Sequence, residues 1–126
     1  MARILVVDDE PGIVHLLRTI LVSAGHEVLA EPDGARALIT AHEALPDLIF
    51  LDIAMPIVDG MTALRLLRGD PRTAAIPVAI VTGHDTNRTV RDGYDLGAEV
   101  VLGKPFDPDD VVHVVHRLLG DDEPKG

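Results

Sequence analysis

Three aspartates, a threonine and a lysine stand at or just beyond the ends of short apolar runs. Ile4-Leu5-Val6-Val7 leads into Asp8-Asp9, and Leu48-Ile49-Phe50-Leu51 leads into Asp52. Val78-Ala79-Ile80-Val81 ends in Thr82, and Val100-Val101-Leu102 passes through Gly103 to Lys104-Pro105. Gathered in one place, three carboxylates repel one another and favour a cation. Their hard oxygen donors suit Mg²⁺ or Mn²⁺. A carboxylate can also act as a nucleophile toward phosphorus. An ammonium and a hydroxyl suit the phosphoryl oxygens. The set points to a divalent cation and a phosphoryl group.

The elements that position these residues are legible in the pattern. Unbroken apolar runs of this length read as strands of a parallel sheet buried on both faces. They alternate with amphipathic stretches, the pattern of a doubly wound α/β domain. The spacing predicts strands over 3–7, 26–30, 47–51, 77–81 and 99–102, and helices over 11–24, 33–44, 59–69, 86–96 and 108–119. In the first helix Ile13, Leu16, Leu17, Ile20, Leu21 and Ala24 recur at helical spacing, and in the third Met61, Leu64, Leu66 and Leu67 do. Asp33 and Asp59 are expected caps. The fourth helix is weakened by Gly93. Ligands of such sheets bind beyond the carboxyl ends of the strands, at the point where strand order reverses. No Gly-x-Gly-x-x-Gly follows the first strand, which removes the main support for dinucleotide binding.

The 126 residues make one domain, here 1–120, followed by an acidic stretch 121–126 that is a tail or the start of a linker. The chain has no cysteine, which excludes disulfides and cysteine-based zinc sites. Eleven Lys+Arg against 21 Asp+Glu give a formal net charge of −10, so direct nucleic-acid binding is not expected. No secretory signal and no membrane span are expected, and the reading is cytoplasmic.

The motifs together resemble the receiver domain of two-component response regulators: Asp8-Asp9, Asp52 with Met55-Pro56, Thr82-Gly83, Gly97-Ala98 and Lys104-Pro105-Phe106, in order and with family-like spacing. The resemblance covers nearly the whole chain. It implies a flavodoxin-like (βα)5 fold, strand order 2-1-3-4-5, of the chemotaxis-receiver kind. It implies that Asp52 accepts phosphate, that Asp9 and Asp52 ligate the metal directly, that Asp8 acts mostly through water, and that the Ala54 carbonyl completes the protein ligands. It implies phosphoryl binding and switching by Thr82, Gly83, Lys104 and Pro105, with a cis bond before Pro105. Ala54 and His84 are expected to flank the access path to the phosphoryl group. Donors would be a sensor histidine kinase or a histidine phosphotransfer protein, docking on Ile13, Val14, Met55, Pro56 and Phe106. An output domain, a downstream protein or a homodimer would read the fourth helix, fifth strand and fifth helix.

One position departs from the family. An aromatic residue often stands three before the lysine; here it is Val101. Val90, Tyr94 and Val101 are the expected output surface, with Tyr94 the candidate replacement for the aromatic. Glu10 is expected to be a charge in the first helical turn, favoured by the dipole, the lesser alternative being a fourth acid near the metal. His113 and His116 are expected on a solvated face. The chain is not expected to turn over an external substrate. Two other functions stay open. A pseudo-receiver would bind without phosphate control. A Mg²⁺-dependent phosphohydrolase usually has a second acid two residues after the nucleophile, where this chain has Ala54. A flavin module is a third and weaker reading.

Overall fold

The expected alternation is present. In the computed structural model, which describes residues 1–53, 59–83 and 87–120, the order is β1 (Arg3–Val7), α1 (Pro11–Ser23), β2 (Glu27–Glu31), α2 (Gly34–Ala44), β3 (Leu48–Asp52), α3 (Gly60–Gly69), β4 (Val78–Thr82), α4 (Asn87–Asp95), β5 (Val100–Gly103) and α5 (Pro108–Leu119). The strands form one parallel sheet in the order β2-β1-β3-β4-β5. The switch point therefore lies between β1 and β3.

Strands two to five each begin and end one residue later than the apolar runs predict. The ladder explains the shift. Asp52 pairs in register with Val81, and Thr82 with Gly103, so polar residues at the strand ends keep strand geometry while their side chains leave the apolar layer. Asp52 and Thr82 thus sit on the sheet's rim rather than in the loops beyond it.

Side-chain alternation divides the core in two. Ile4, Val6, Leu48 and Phe50 pack with Leu17 and Leu21 of α1 and Val111 and Val115 of α5. Leu5, Val7, Ile49 and Leu51 pack with Ala37 and Ala41 of α2 and Leu64 and Leu67 of α3. Each large aliphatic side chain buried this way stabilises the fold by about 1.5–3 kcal/mol. The stripe on α1 is narrower than its composition predicts: Leu17, Ile20 and Leu21 are buried, but Leu16 is 39% exposed. On α3, Leu66 is likewise half-exposed, because the sheet takes only the Leu64–Leu67 face. Asp33 and Asp59 cap as expected, accepting the N–H of Arg36 and of Thr62, both at 2.8 Å.

Two structural residues carry no obvious sequence signal. Gly60 opens α3 directly against the end of β3, where its N–H donates to the Ile53 carbonyl at 3.2 Å. A Cβ on Gly60 would collide with the backbone of Asp52 and Ile53. Arg68, near the end of α3, donates to the carbonyls of Gly97 (2.7 Å), Ile76 (2.7 Å) and Ala74 (3.2 Å), and to Glu99 (2.9 Å). Glu99 also accepts the N–H of Val78 at 2.7 Å. One guanidinium thus ties α3 to both approaches to the β4–β5 pair.

Gly60→Ala should lower the stability of unfolding by about 2–3 kcal/mol through backbone overpacking, while Gly12→Ala, where a Cβ meets nothing within 4 Å, should not destabilise. Urea denaturation of the two variants measures the difference.

Candidate functional site

The rim of the sheet gathers the polar residues that the motifs single out. Among the described residues the buried polar or charged side chains are Asp8, Asp52, Thr73 and Thr82. Thr73 is accounted for locally, since its hydroxyl donates to the Leu67 carbonyl at 2.7 Å. The other three stand together at the carboxyl ends of β1, β3 and β4. Such a concentration of buried polarity on one edge is costly unless it is paired.

Lys104 supplies the pairing. It follows β5, and its backbone N–H donates to the Thr82 carbonyl at 2.8 Å. The Lys104–Pro105 bond is cis. The ammonium lies 3.1 Å from Asp8 Oδ2, 3.0 Å from Glu10 Oε1 and 3.8 Å from Asp52 Oδ2. Its side chain is only 16% exposed. Burial disfavours the lysine charge, but the bonds to Glu10 and Asp8 and the fields of Asp52 and Asp8 outweigh it and raise the pKa above the ordinary lysine value.

Carboxylate oxygens of Asp8, Glu10 and Asp52 all lie within 4.8 Å of one another. Asp8 is bidentate in role: Oδ1 accepts the Glu10 N–H at 2.9 Å while Oδ2 faces Lys104. Asp9 is exposed and falls outside that trio. It lines a neighbouring groove of about 320 Å³ with Asp8, Val14, His15 and Arg18. Glu10 is a correction to the sequence reading. It is not a charge inside the first turn of α1 but the N-cap residue, its side chain makes no capping bond, and its carboxylate turns to Lys104. Three successive acids after a strand were the only available signal, and they do not say which way the third side chain turns.

Gly83 is exposed, and a Cβ there would meet nothing within 4 Å, so the space beside Thr82 is open. Pro105 is exposed. Ile13, Val14 and Phe106 are half-buried against the α1–α5 core. Val90 is half-buried, and the Tyr94 hydroxyl accepts the Val101 N–H at 3.4 Å. His113 and His116 are exposed on α5. Ala54, Met55, Pro56 and His84 lie outside the described residues, as does the acidic stretch 121–126. No helix among the described residues is long and apolar enough to cross a membrane.

This fold and this crevice define a class. The chain belongs to the response regulator receiver domain family of two-component signalling, whose model matches residues 4–116. It is 41% identical over 119 residues to the DNA-binding dual master transcriptional regulator RpaA of Synechocystis sp., covering 94% of this chain and 49% of that protein. It is 38% identical to Protein PilH of Pseudomonas aeruginosa, covering 94% of this chain and 98% of that one. The chain therefore spans about half of the first relative and nearly all of the second. Among solved structures, the receiver domain of the sensor histidine kinase PA1611 from Pseudomonas aeruginosa matches with a TM-score of 0.88 at 26% identity, covering 95% of this chain and 98% of that one. That structure has a magnesium ion coordinated in its active site cleft.

Lys104→Met should destabilise the fold by about 2–3 kcal/mol in metal-free buffer, because it leaves buried carboxylates uncompensated. A raised lysine pKa contributes stability below the unfolded lysine pKa and loses it as pH rises through the folded one. The wild-type advantage should therefore be full at neutral pH and shrink in alkaline buffer. Chemical denaturation across that range reads it, and an advantage independent of pH would deny the ion pair.

Proposed function

We propose that the chain is a phosphoacceptor that takes a phosphoryl group onto Asp52 from a sensor histidine kinase or a histidine phosphotransfer protein. The observation that carries this is the Lys104 ammonium 3.8 Å from the buried Asp52 carboxylate, held there by Asp8. An Asp52 oxygen attacks phosphorus, the bond from phosphorus to the leaving group breaks, and its electron pair departs with that group. With acetyl phosphate the product is acetate, and no proton moves. With a phosphohistidine the pair stays on the imidazole. Lys104 binds a developing phosphoryl oxygen as a point charge, and the Thr82 hydroxyl donates to the phosphoryl group. The chain does not turn over an external substrate, and at most it promotes its own phosphorylation and dephosphorylation.

The donor set fits Mg²⁺, with Mn²⁺ acceptable to the same ligands. Buried Asp8 and Asp52 lie with Glu10 inside one 4.8 Å group of oxygens, hard donors of the kind these ions take. Asp9 and the Ala54 carbonyl complete the set that the family resemblance implies, and the magnesium in the PA1611 receiver supports it. When bound, the ion supplies charge neutralisation between the carboxylates and the phosphoryl oxygens. By the family resemblance Ala54 and His84 would flank access to the phosphoryl group. The docking patch would comprise Ile13, Val14 and Phe106, half-buried against the α1–α5 core, with Met55 and Pro56 as the family resemblance implies.

Intact mass with Mg²⁺ and acetyl phosphate tests the assignment. One phosphoryl adduct should form on the wild type and none on Asp52→Asn; equal yield on that variant would remove Asp52 from the site. With a histidine kinase as donor, Ile13→Asp should slow transfer while leaving the acetyl phosphate reaction intact. Mg²⁺ at about 100 times its dissociation constant should add about 2.7 kcal/mol of stability.

The state of Asp52 would be read at α4, β5 and α5, by an output domain, a downstream protein or a second copy. Support comes from the contact between α4 and the edge strand. A Cβ on Gly93 would come within 2.9 Å of Ile80 Cδ1 and 3.2 Å of Val101 Cγ2, so the missing side chain lets α4 sit close to β4 and β5. Tyr94 then covers the Val101 N–H. Beryllofluoride should change amide exchange across 87–101. Tyr94→Phe should raise exchange at Val101 without the ligand. A response confined to the Asp52 strand end would remove this switch.

A further inference from the structure

We infer that Glu10 is a positioning residue that holds Lys104 back from the phosphoryl site. This rests on the reading of Asp52 as phosphoacceptor and names what opposes it in the resting chain. Glu10 occupies the N-cap of α1 with extended backbone (φ −97°, ψ 111°), the position from which a Ser, Thr, Asp or Asn side chain ordinarily accepts a helix N–H. Its carboxylate makes no such bond. It reaches instead across the crevice to Lys104 Nζ at 3.0 Å, a shorter contact than the 3.8 Å between Lys104 and Asp52. Asp8 organises both partners, since one of its oxygens fixes the Glu10 N–H and the other takes the ammonium.

The ammonium therefore divides its donors between a buried acid and an exposed one. Glu10 is 62% exposed, against 1% for Asp8, and is the partner that can give way. Two of the three ammonium N–H bonds go to Asp8 and Glu10, and Asp52 at 3.8 Å stands beyond hydrogen-bond reach. A phosphoryl group on Asp52 brings oxygens that draw the ammonium to that side, which stretches its contact with Glu10. Glu10 thus stabilises the resting arrangement and not the phosphorylated one. An interaction made only in the ground state slows the step that breaks it. Exposed ion pairs are weak, so the brake is modest, roughly three- to fivefold in rate.

The experiment compares wild type, Glu10→Gln and Glu10→Asp in phosphorylation by acetyl phosphate, followed by intact mass at Mg²⁺ saturating for each variant. Thermal melting accompanies it to establish that each variant is folded. Glu10→Gln removes the charge. Glu10→Asp keeps the charge and shortens the reach by one methylene. Both should be phosphorylated roughly three- to fivefold faster than wild type, and both should bind beryllofluoride more tightly by the same factor. Acceleration by Glu10→Gln alone would mean that the charge merely repels the anionic donor, and would overturn the tether. Rates equal to or below wild type for both would overturn it as well. An adduct that still forms on Asp52 under those outcomes leaves the phosphoacceptor reading standing. Failure of wild type to form any adduct on Asp52 removes that reading, and the inference with it.

Discussion

Among the described residues, the Lys104 ammonium is what makes the acidic edge of this sheet tenable. Asp8 and Asp52 are almost fully buried, and Glu10 brings a third carboxylate within 4.8 Å of them. Their mutual repulsion is answered by Lys104, which is itself raised in pKa by the same charges that it neutralises. The partners are far apart in the chain, 96 residues in the case of Asp8 and Lys104. They meet only when all five strands are ordered, because β1 and β3 form the switch point while β5 lies at the sheet's edge. The site and the completed fold are therefore one thermodynamic unit.

That dependence also explains why the site is poised rather than relaxed. A structural ion pair would satisfy one acid with one base. Here, among the described residues, one base serves three acids, which leaves an excess of negative charge in the crevice. A hard cation relieves the excess, and a phosphoryl group offers Lys104 stronger partners than those it holds. Both ligands of the proposed chemistry are thus favoured by the same imbalance, and the resting chain carries it at the expense of stability.

Between β4, β5 and α4 the packing is by close approaches instead of a large side chain. Thr82 ends β4, and the strand's Ile80 lies under the space where a Cβ of residue 93 would be. Val101 fills part of that space, and the Tyr94 hydroxyl covers its N–H at the sheet's free edge. A backbone brought this near leaves no room for a side chain at residue 93 without a shift of its neighbours. Arg68 fixes the other end of the segment through the carbonyl of Gly97, whose φ of 102° is a left-handed conformation that favours glycine. Between the two, α4 is anchored at its exit and packed without a side chain in its middle.

Much of this was already determined by the chain itself. Apolar runs of three to four residues alternating with helical spacing specify a parallel α/β sheet, and the capping aspartates 33 and 59 place two helix starts. Acids and a lysine at run ends identify the candidate site, since parallel sheets bind ligands at their carboxyl edge. Tertiary structure decided the rest. The one-residue offset of four strands came from ladder register, which depends on the neighbouring strand rather than on local hydropathy. Gly60, Gly93 and Arg68 gain their roles from what stands opposite them, and a local pattern carries no such information. Glu10 was readable as an acid near a helix start, but its turn toward Lys104 depends on a residue 94 positions away. A side chain's direction is set by the charge it meets, and only the folded sheet brings that charge to it.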